Sequence, residues 1–393
     1  MVIVGAGPAG AFAAYELARA GVESLLIDRQ RFPRPKVCGG CLNARTLALL
    51  AAAGLGELPA SLGGEPLDHF ELWTGGRTVR LPMPRGIAVS RAAFDEALVR
   101  EAIAAGAEFL PATRAVLGAA GSKTRRVRLP QAKCQVVARL VIAADGLGGS
   151  FLPSDSGHRS RAVSESRIGA GAVFDDIHSR LSRHGTYRPG VIHMAVGRSG
   201  YVGVVRVEGG RLSVAAALDR RALGDGRTLV GAITELLAEA GLPRLPGLPK
   251  PGTCASQWQG TAALSRRSPQ VAFDRVFLIG DAAGYVEPFT GEGISWALEA
   301  AREVSALVAR AALDPLASLA PNTERQWDGS LELGWRRRYR KRIARRQRWC
   351  RSVSWALRRQ MLVSSAVRLL GGAPSLAAPL MAHLNAMPGE RTP

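Results

Sequence analysis

The chain has 393 residues, 47% hydrophobic and 21% charged, with 52 Lys/Arg against 32 Asp/Glu for a net charge of +20. That length suits one large core or two interleaved domains, and the composition is that of a globular protein rather than a disordered one. No apolar run reaches the ~18 residues of a membrane span. Five cysteines, odd in number and mostly far apart, argue against a disulfide framework and for a reducing, cytoplasmic setting without a secretory signal.

The opening stretch, MVIVGAGPAGAFAAYELARAGVESLLIDR, reads as strand, tight turn, helix and strand. Its Gly-x-Gly-x-x-Gly spacing gives each glycine a separate role. Gly5 makes the turn, Gly7 admits a pyrophosphate to the backbone, and Gly10 lets helix and strand pack closely. The helix N-terminus offers free N–H groups to phosphate. Asp28, eighteen residues after Gly10, is placed to accept hydrogen bonds from a ribose. A dinucleotide site is the expectation. Next comes PKVCGGCLN, with Cys38 and Cys41 around two glycines. On its own, this pair is open to three readings: a redox dithiol, half of a metal site, or a loop with an incidental cysteine.

Further on, DHFELWTGGRTVRLP predicts a hairpin turning at Gly75-Gly76, and residues 90–106 a helix capped by Ser90. VVARLVIAADG predicts one buried strand ending at Asp145-Gly146, and residues 160–260 favour strands, with a hairpin at Gly209-Gly210. In FLIGDAAGYVEPFTGEGISWALEA an apolar strand delivers Gly280-Asp281 to its C-terminal end, where ligands sit in open α/β sheets. Pro288, Gly291 and Gly293 then lead into a helix from Ile294, whose N-terminus favours a group that becomes anionic.

Residues 336–351 hold ten Lys/Arg and no acid, and removing them leaves 42 basic against 32 acidic residues. Trp335, Tyr339 and Ile343 fall four apart, so an amphipathic helix is expected there. Three readings stay open: a solvated helix packed on the rest of the chain, contact with an anionic membrane surface, or nucleic acid. No recognised nucleic-acid fold accompanies the charge, so nucleic acid is not the expected partner.

GAGPAG, AADG at 143–146 and GDAAGYVEPFTGEG together resemble the FAD-binding motifs of the flavoprotein superfamily that contains aromatic hydroxylases (of the p-hydroxybenzoate hydroxylase fold) and geranylgeranyl reductases. The likeness covers most of residues 1–310. RPKVCGGCL resembles the cysteine-glycine loop of the geranylgeranyl reductase group, and SRAAFDEAL its arginine-containing segment near the flavin. The resemblance implies an α/β fold. A Rossmann-like, glutathione-reductase-type FAD domain would comprise 1–67, 86–150 and 270–320, with an inserted antiparallel β-sheet substrate domain at 68–85 and 151–269. A basic, helical segment would fill 321–393. It further implies Ala11 and Asp28 at the ADP half, Asp281 at the ribityl chain, Gly293 and Ile294 at the ring, and Cys38 and Gly39 near ring or linker. Arg29, Arg91, Asp145, Gly146, Gly280 and Gly291 would be further cofactor contacts. No metal is expected.

Implied, then, is an FAD enzyme, fed by NAD(P)H or a reduced partner protein, that reduces a carbon–carbon double bond of a hydrophobic isoprenoid or polyketide-like substrate by hydride transfer from flavin N5. The alternatives are a monooxygenase acting through a C4a-hydroperoxyflavin, a disulfide oxidoreductase using Cys38 and Cys41, and a non-enzymatic flavin scaffold. Cys41 stands where the family loop commonly has a third glycine, and GYVGVVR lacks the reductases' tryptophan and proline. The middle region offers His184, His193, Tyr187 and Tyr201 as proton donors, none singled out by spacing. Cys38 is a weak catalytic candidate.

Overall fold

The computed structural model describes residues 1–154, 156–175, 186–224, 227–246, 258–287, 289, 291–312 and 329–378. Its N-terminal sheet has six strands in the order 272–273, 276–278, 141–143, 2–4, 25–27, 108–110. All neighbours run parallel except the first two, which form a hairpin. Val2–Val4 and Val141–Ala143 are buried throughout, as a sheet covered on both faces requires. Helix α1 (Pro8–Arg19) follows the first strand, starting at the proline that suits a first helical turn. Helix α2 (Arg91–Ala104) starts where Ser90 accepts a hydrogen bond from the Ala93 amide. Helix α3 (Gly293–Ala312) packs on α1, with Ser305 Oγ donating to the Ala13 carbonyl.

Above this domain lies an eight-stranded sheet in the order 259–263, 168–174, 212–218, 200–206, 191–197, 65–74, 77–88, 41–42. The expected hairpins turn at Gly75-Gly76 and Gly209-Gly210, all four in the left-handed region. The sheet is mixed rather than wholly antiparallel: Val191–Gly197 pairs parallel with Glu65–Thr74. These two strands come from distant parts of the chain, so no short turn constrains their direction. The expected single strand over VVARLVIAADG is also two. Cys134–Ala138 edges a small three-stranded sheet, and Val141–Ala143 joins the parallel sheet.

At the C-terminus, α4 (Ser330–Tyr339) passes through a π turn at Arg340–Ala344 into α5 (Arg345–Ala356), and α6 (Gln360–Gly372) folds back. Trp335 is fully buried and its Nε1 donates to the Leu278 carbonyl, while Tyr339 Oη donates to the Ala283 carbonyl. The apolar seam at 335, 339 and 343 therefore packs against the parallel-sheet domain, as the first of the three readings held. Among the described residues, no helix is long and apolar enough to cross a membrane.

Candidate functional site

The glycine turn divides its work as the spacing predicts. Gly5 has φ of +100°, and a Cβ there would overlap the Ala144 carbonyl oxygen. A Cβ on Gly10 would overlap the Gly5 carbonyl oxygen. On Gly7 it would meet only the guanidinium tips of Arg34 and Arg91, at 3.6 and 3.8 Å. Gly7 thus faces a cavity of about 1170 Å³, while Gly10 faces protein. Asp28 stands beside the turn, its carboxylate accepting from the Ala6 amide at 2.8 Å and the Gln30 amide at 2.9 Å.

Two guanidinium groups converge over the N-terminus of α1. Arg91 forms a two-pronged pair with the buried Asp95, at 2.7 and 2.8 Å. Arg34 lies 3.6 Å from both Asp95 and Asp28, and its buried Nε has no hydrogen-bond partner. Lys36 completes the cluster. Burial pulls its pKa below the ordinary lysine value, Asp281 pulls it back, and Arg91 and Arg34 push it down again. Asp281 is shifted upward by burial, against the opposing pull of Lys36 and Arg91. Three cations, one with an orphaned donor, around free helix N–H groups fit a diphosphate. The cavity exceeds the ~300–1,000 Å³ of ordinary small-molecule sites. Flavin adenine dinucleotide fits these residues.

Beside this cluster the Cys38–Cys41 loop, the strand end at Gly280-Asp281 and the N-terminus of α3 line the same cavity. Gly40 has φ of +74°, and a Cβ there would overlap the Val89 carbonyl oxygen, so this loop needs glycine to pass the sheet. Cys38 and Cys41 are both free. Burial, with the Cys38 charge second, pushes the Cys41 thiol up to about 12. Thiolates, not thiols, do disulfide exchange, so this setting disfavours a redox couple.

Fourteen of the sixteen expected cofactor residues line the cavity: Gly5, Gly7, Asp28, Arg29, Cys38, Gly39, Arg91, Asp145, Gly146, Gly280, Asp281, Gly291, Gly293 and Ile294. Gly10 and Ala11 do not: the Gly5 carbonyl fills the space beside Gly10, and the Ala11 amide donates to the Gly7 carbonyl within α1. Pro288 and His184 lie outside the described residues. Of the proposed proton donors among the described residues, only Tyr201 lines the cavity. Tyr187 bonds the Pro243 carbonyl instead.

His193 is 1% exposed and packs edge-on against Tyr187, its Nδ1 3.1 Å from Glu71 but out of line for a hydrogen bond. Burial, outweighing Glu71, lowers its pKa to about 4. The folded chain therefore resists a proton that the unfolded chain accepts below about 6.5. Stability is expected to fall as pH drops from about 6.5 toward about 4. His193→Gln should flatten that limb in denaturant titrations taken at stepped pH.

Sequence reasoning missed Arg34, Lys36 and the whole apolar half of the cavity. That half is walled by Leu72, Leu81, Met83 and Met194 of the large sheet and by Leu357 and Val363 of the C-terminal region. Phe289 sits edge-on to both Phe70 and Tyr201, with centroids 6.0 and 5.3 Å away. Tyr285, also on the wall, lies 3.5–3.6 Å from where a Gly293 Cβ would be. Burial pushes the pKa of Tyr201 and Tyr285 well above the ordinary value, aided at Tyr285 by Asp281 and Cys38. Neither hydroxyl has a hydrogen-bond partner among the described residues, so both remain free to serve a bound molecule.

A family model described as an FAD binding domain matches residues 1–312. Menaquinone reductase of Mycobacterium tuberculosis is 33% identical over 78% of this chain and 76% of its own. Digeranylgeranylglycerophospholipid reductase 2 of Methanothermobacter thermautotrophicus is 26% identical over 88% of this chain and 85% of its own. Among solved structures, a Diels-Alderase of pyrroindomycin biosynthesis superposes with TM-score 0.75 at 20% identity, covering 100% of this chain and 81% of that one. The myxobacterial chondrochloren halogenase gives 0.72 at 19%, covering 97% and 91%. At such identities the structures speak for the shared fold.

Proposed function

The chain belongs to the FAD binding domain family and is an FAD-dependent oxidoreductase, and from that premise we propose that it reduces a carbon–carbon double bond in an isoprenoid chain, such as that of a prenylated quinone or lipid. The observation that carries this reading is the apolar half of the cavity, in which Leu72, Leu81, Met83, Met194, Leu357 and Val363 offer a long hydrocarbon its surroundings and no charge. Both relatives named above are reductases by name.

Bound flavin, when reduced, supplies a hydride to one carbon of the double bond. The chain's own part is placement. Arg34, Arg91, Lys36 and the α1 N-terminus would hold the diphosphate, and Asp281 and the Cys38–Gly39 loop would contact the rest of the cofactor. The second carbon needs a proton. Tyr285 lines the cavity beside Gly293 at the start of α3, and burial keeps its hydroxyl protonated. Tyr285→Phe is expected to slow product formation about a hundredfold while leaving flavin content unchanged. A rate within a factor of about three of wild type would remove Tyr285 from the reaction.

The function itself is tested by product analysis with and without oxygen, using chemically reduced protein and prenylated or aromatic substrates. A product heavier by two hydrogens, formed under argon, supports the reductase. A product formed only in air and carrying a new oxygen atom would make the protein a monooxygenase.

A further inference from the structure

Resting on the isoprenoid reading, we propose that the outward face of α5 and α6 docks on an anionic lipid surface, so that the apolar half of the cavity opens toward the bilayer. The C-terminal helices carry exposed apolar side chains: Trp349 at 43%, Trp355 at 55%, Met361 at 84%, Leu362 at 45%, Leu369 at 61% and Leu376 at 56%. Three of them, Trp349, Leu362 and Leu376, also line the cavity, so this exposed apolar surface borders it. Along α5 and the turn after it, exposed Arg345, Arg348, Ser352, Trp355 and Arg359 follow one another at steps of three and four and share a face. Arg359 lies 3.5 Å over the Trp355 ring, joining cation and aromatic at the surface.

Charge identifies the occupant. Residues 333–378 contain thirteen Lys/Arg and no Asp/Glu. Several of these arginines are turned inward: Arg338 to Glu303, Arg346 to Glu292, and Arg358 to Asp219 and Glu287. The 336–351 run named from sequence is therefore only partly available. The usable surface is the cationic stripe from Arg345 onward together with the apolar tip on α6. Tryptophan and leucine beside arginine, on helices lying across a hydrophobic opening, match the headgroup–acyl boundary of an anionic membrane.

The test is sedimentation of the full-length, flavin-loaded protein with vesicles of phosphatidylglycerol and phosphatidylcholine at low salt. It needs no substrate, so its outcome is independent of the reductase assay. Wild type should pellet with these vesicles, not with pure phosphatidylcholine, and be released by high salt. Met361→Glu/Leu369→Glu and Arg345→Glu/Arg348→Glu should each weaken binding at least tenfold with flavin content unchanged. Three results would overturn the proposal: wild type staying in the supernatant, both variants binding like wild type, or binding that appears only after residues 379–393 are removed. The last would show that the chain's own end covers this face. A wild-type dimer that the Met361/Leu369 variant dissociates without loss of vesicle binding would also overturn it, assigning the patch to a second copy.

Discussion

A Gly7→Val chain is expected to fold and to bind FAD roughly a hundredfold more weakly, a loss of about 2.7 kcal/mol. Gly7 has φ of −73° and ψ of −177°, extended backbone open to any residue, so the strand–helix turn survives. The added side chain would project among the Arg34 and Arg91 guanidinium groups, where the diphosphate belongs. Gly10→Ala should behave in the opposite way. Its methyl would overlap the Gly5 carbonyl, so the cost falls on folding, at or above the upper end of the ~1–3 kcal/mol typical of overpacking. Thermal melts with and without FAD separate the two. Equal melting of both apo variants would contradict this division of roles.

The second large effect concerns the charges that fasten the C-terminal helices to the cavity. Arg167 is 1% exposed and pairs with Glu287 at 3.3 Å and Asp219 at 3.2 Å, while Arg358 pairs with Glu287 at 3.4 Å and Asp219 at 3.1 Å. Arg167 also lies 5.5 Å over the Tyr201 ring. Removing one member of a buried pair leaves a charge desolvated, which costs ~3–5 kcal/mol. Glu287→Ala is expected to cost about 3 kcal/mol, the low end of that range, because Asp219 still answers both arginines. The double change Arg167→Met/Glu287→Leu should recover most of that loss, since an apolar pair of similar size avoids the desolvation cost. Chemical denaturation of the three chains measures it. A Glu287→Ala loss under ~1 kcal/mol would mean that the network is solvated and does not pin the helices.

The cofactor half of the site was legible because its signals are local. Gly5, Gly7 and Gly10 sit at a strand–helix junction, and Asp28 and Gly280-Asp281 each follow a strand's C-terminal end, so the spacing encodes the geometry. Arg34 and Lys36 escaped notice because RQRFPRPK looks like any charged surface run. Only the fold buries Arg34 against the Phe32 ring, at 4.9 Å, and aims it at Asp28 and Asp95. Tyr285 could have been found, as it lies inside the GDAAGYVEPFTGEG segment between two residues already chosen. The apolar half could not. The period of four from Trp335 to Ile343 says that one helix face is buried. It does not say that the following turns close a cavity against strands from the first quarter of the chain, as the Gln360–Thr74 hydrogen bond at 2.9 Å illustrates.

If the chain is a reductase, electrons pass from flavin in this cavity straight to a hydrocarbon double bond. Stopped-flow absorbance of the reduced, FAD-loaded protein, mixed under argon with a prenylated lipid or quinol whose head group cannot accept electrons, follows that transfer at its source. The oxidised flavin spectrum should return with saturable dependence on the substrate and in proportion to the double bonds reduced. Flavin that stays reduced until oxygen is admitted, whatever isoprenoid is present, would contradict the reductase reading.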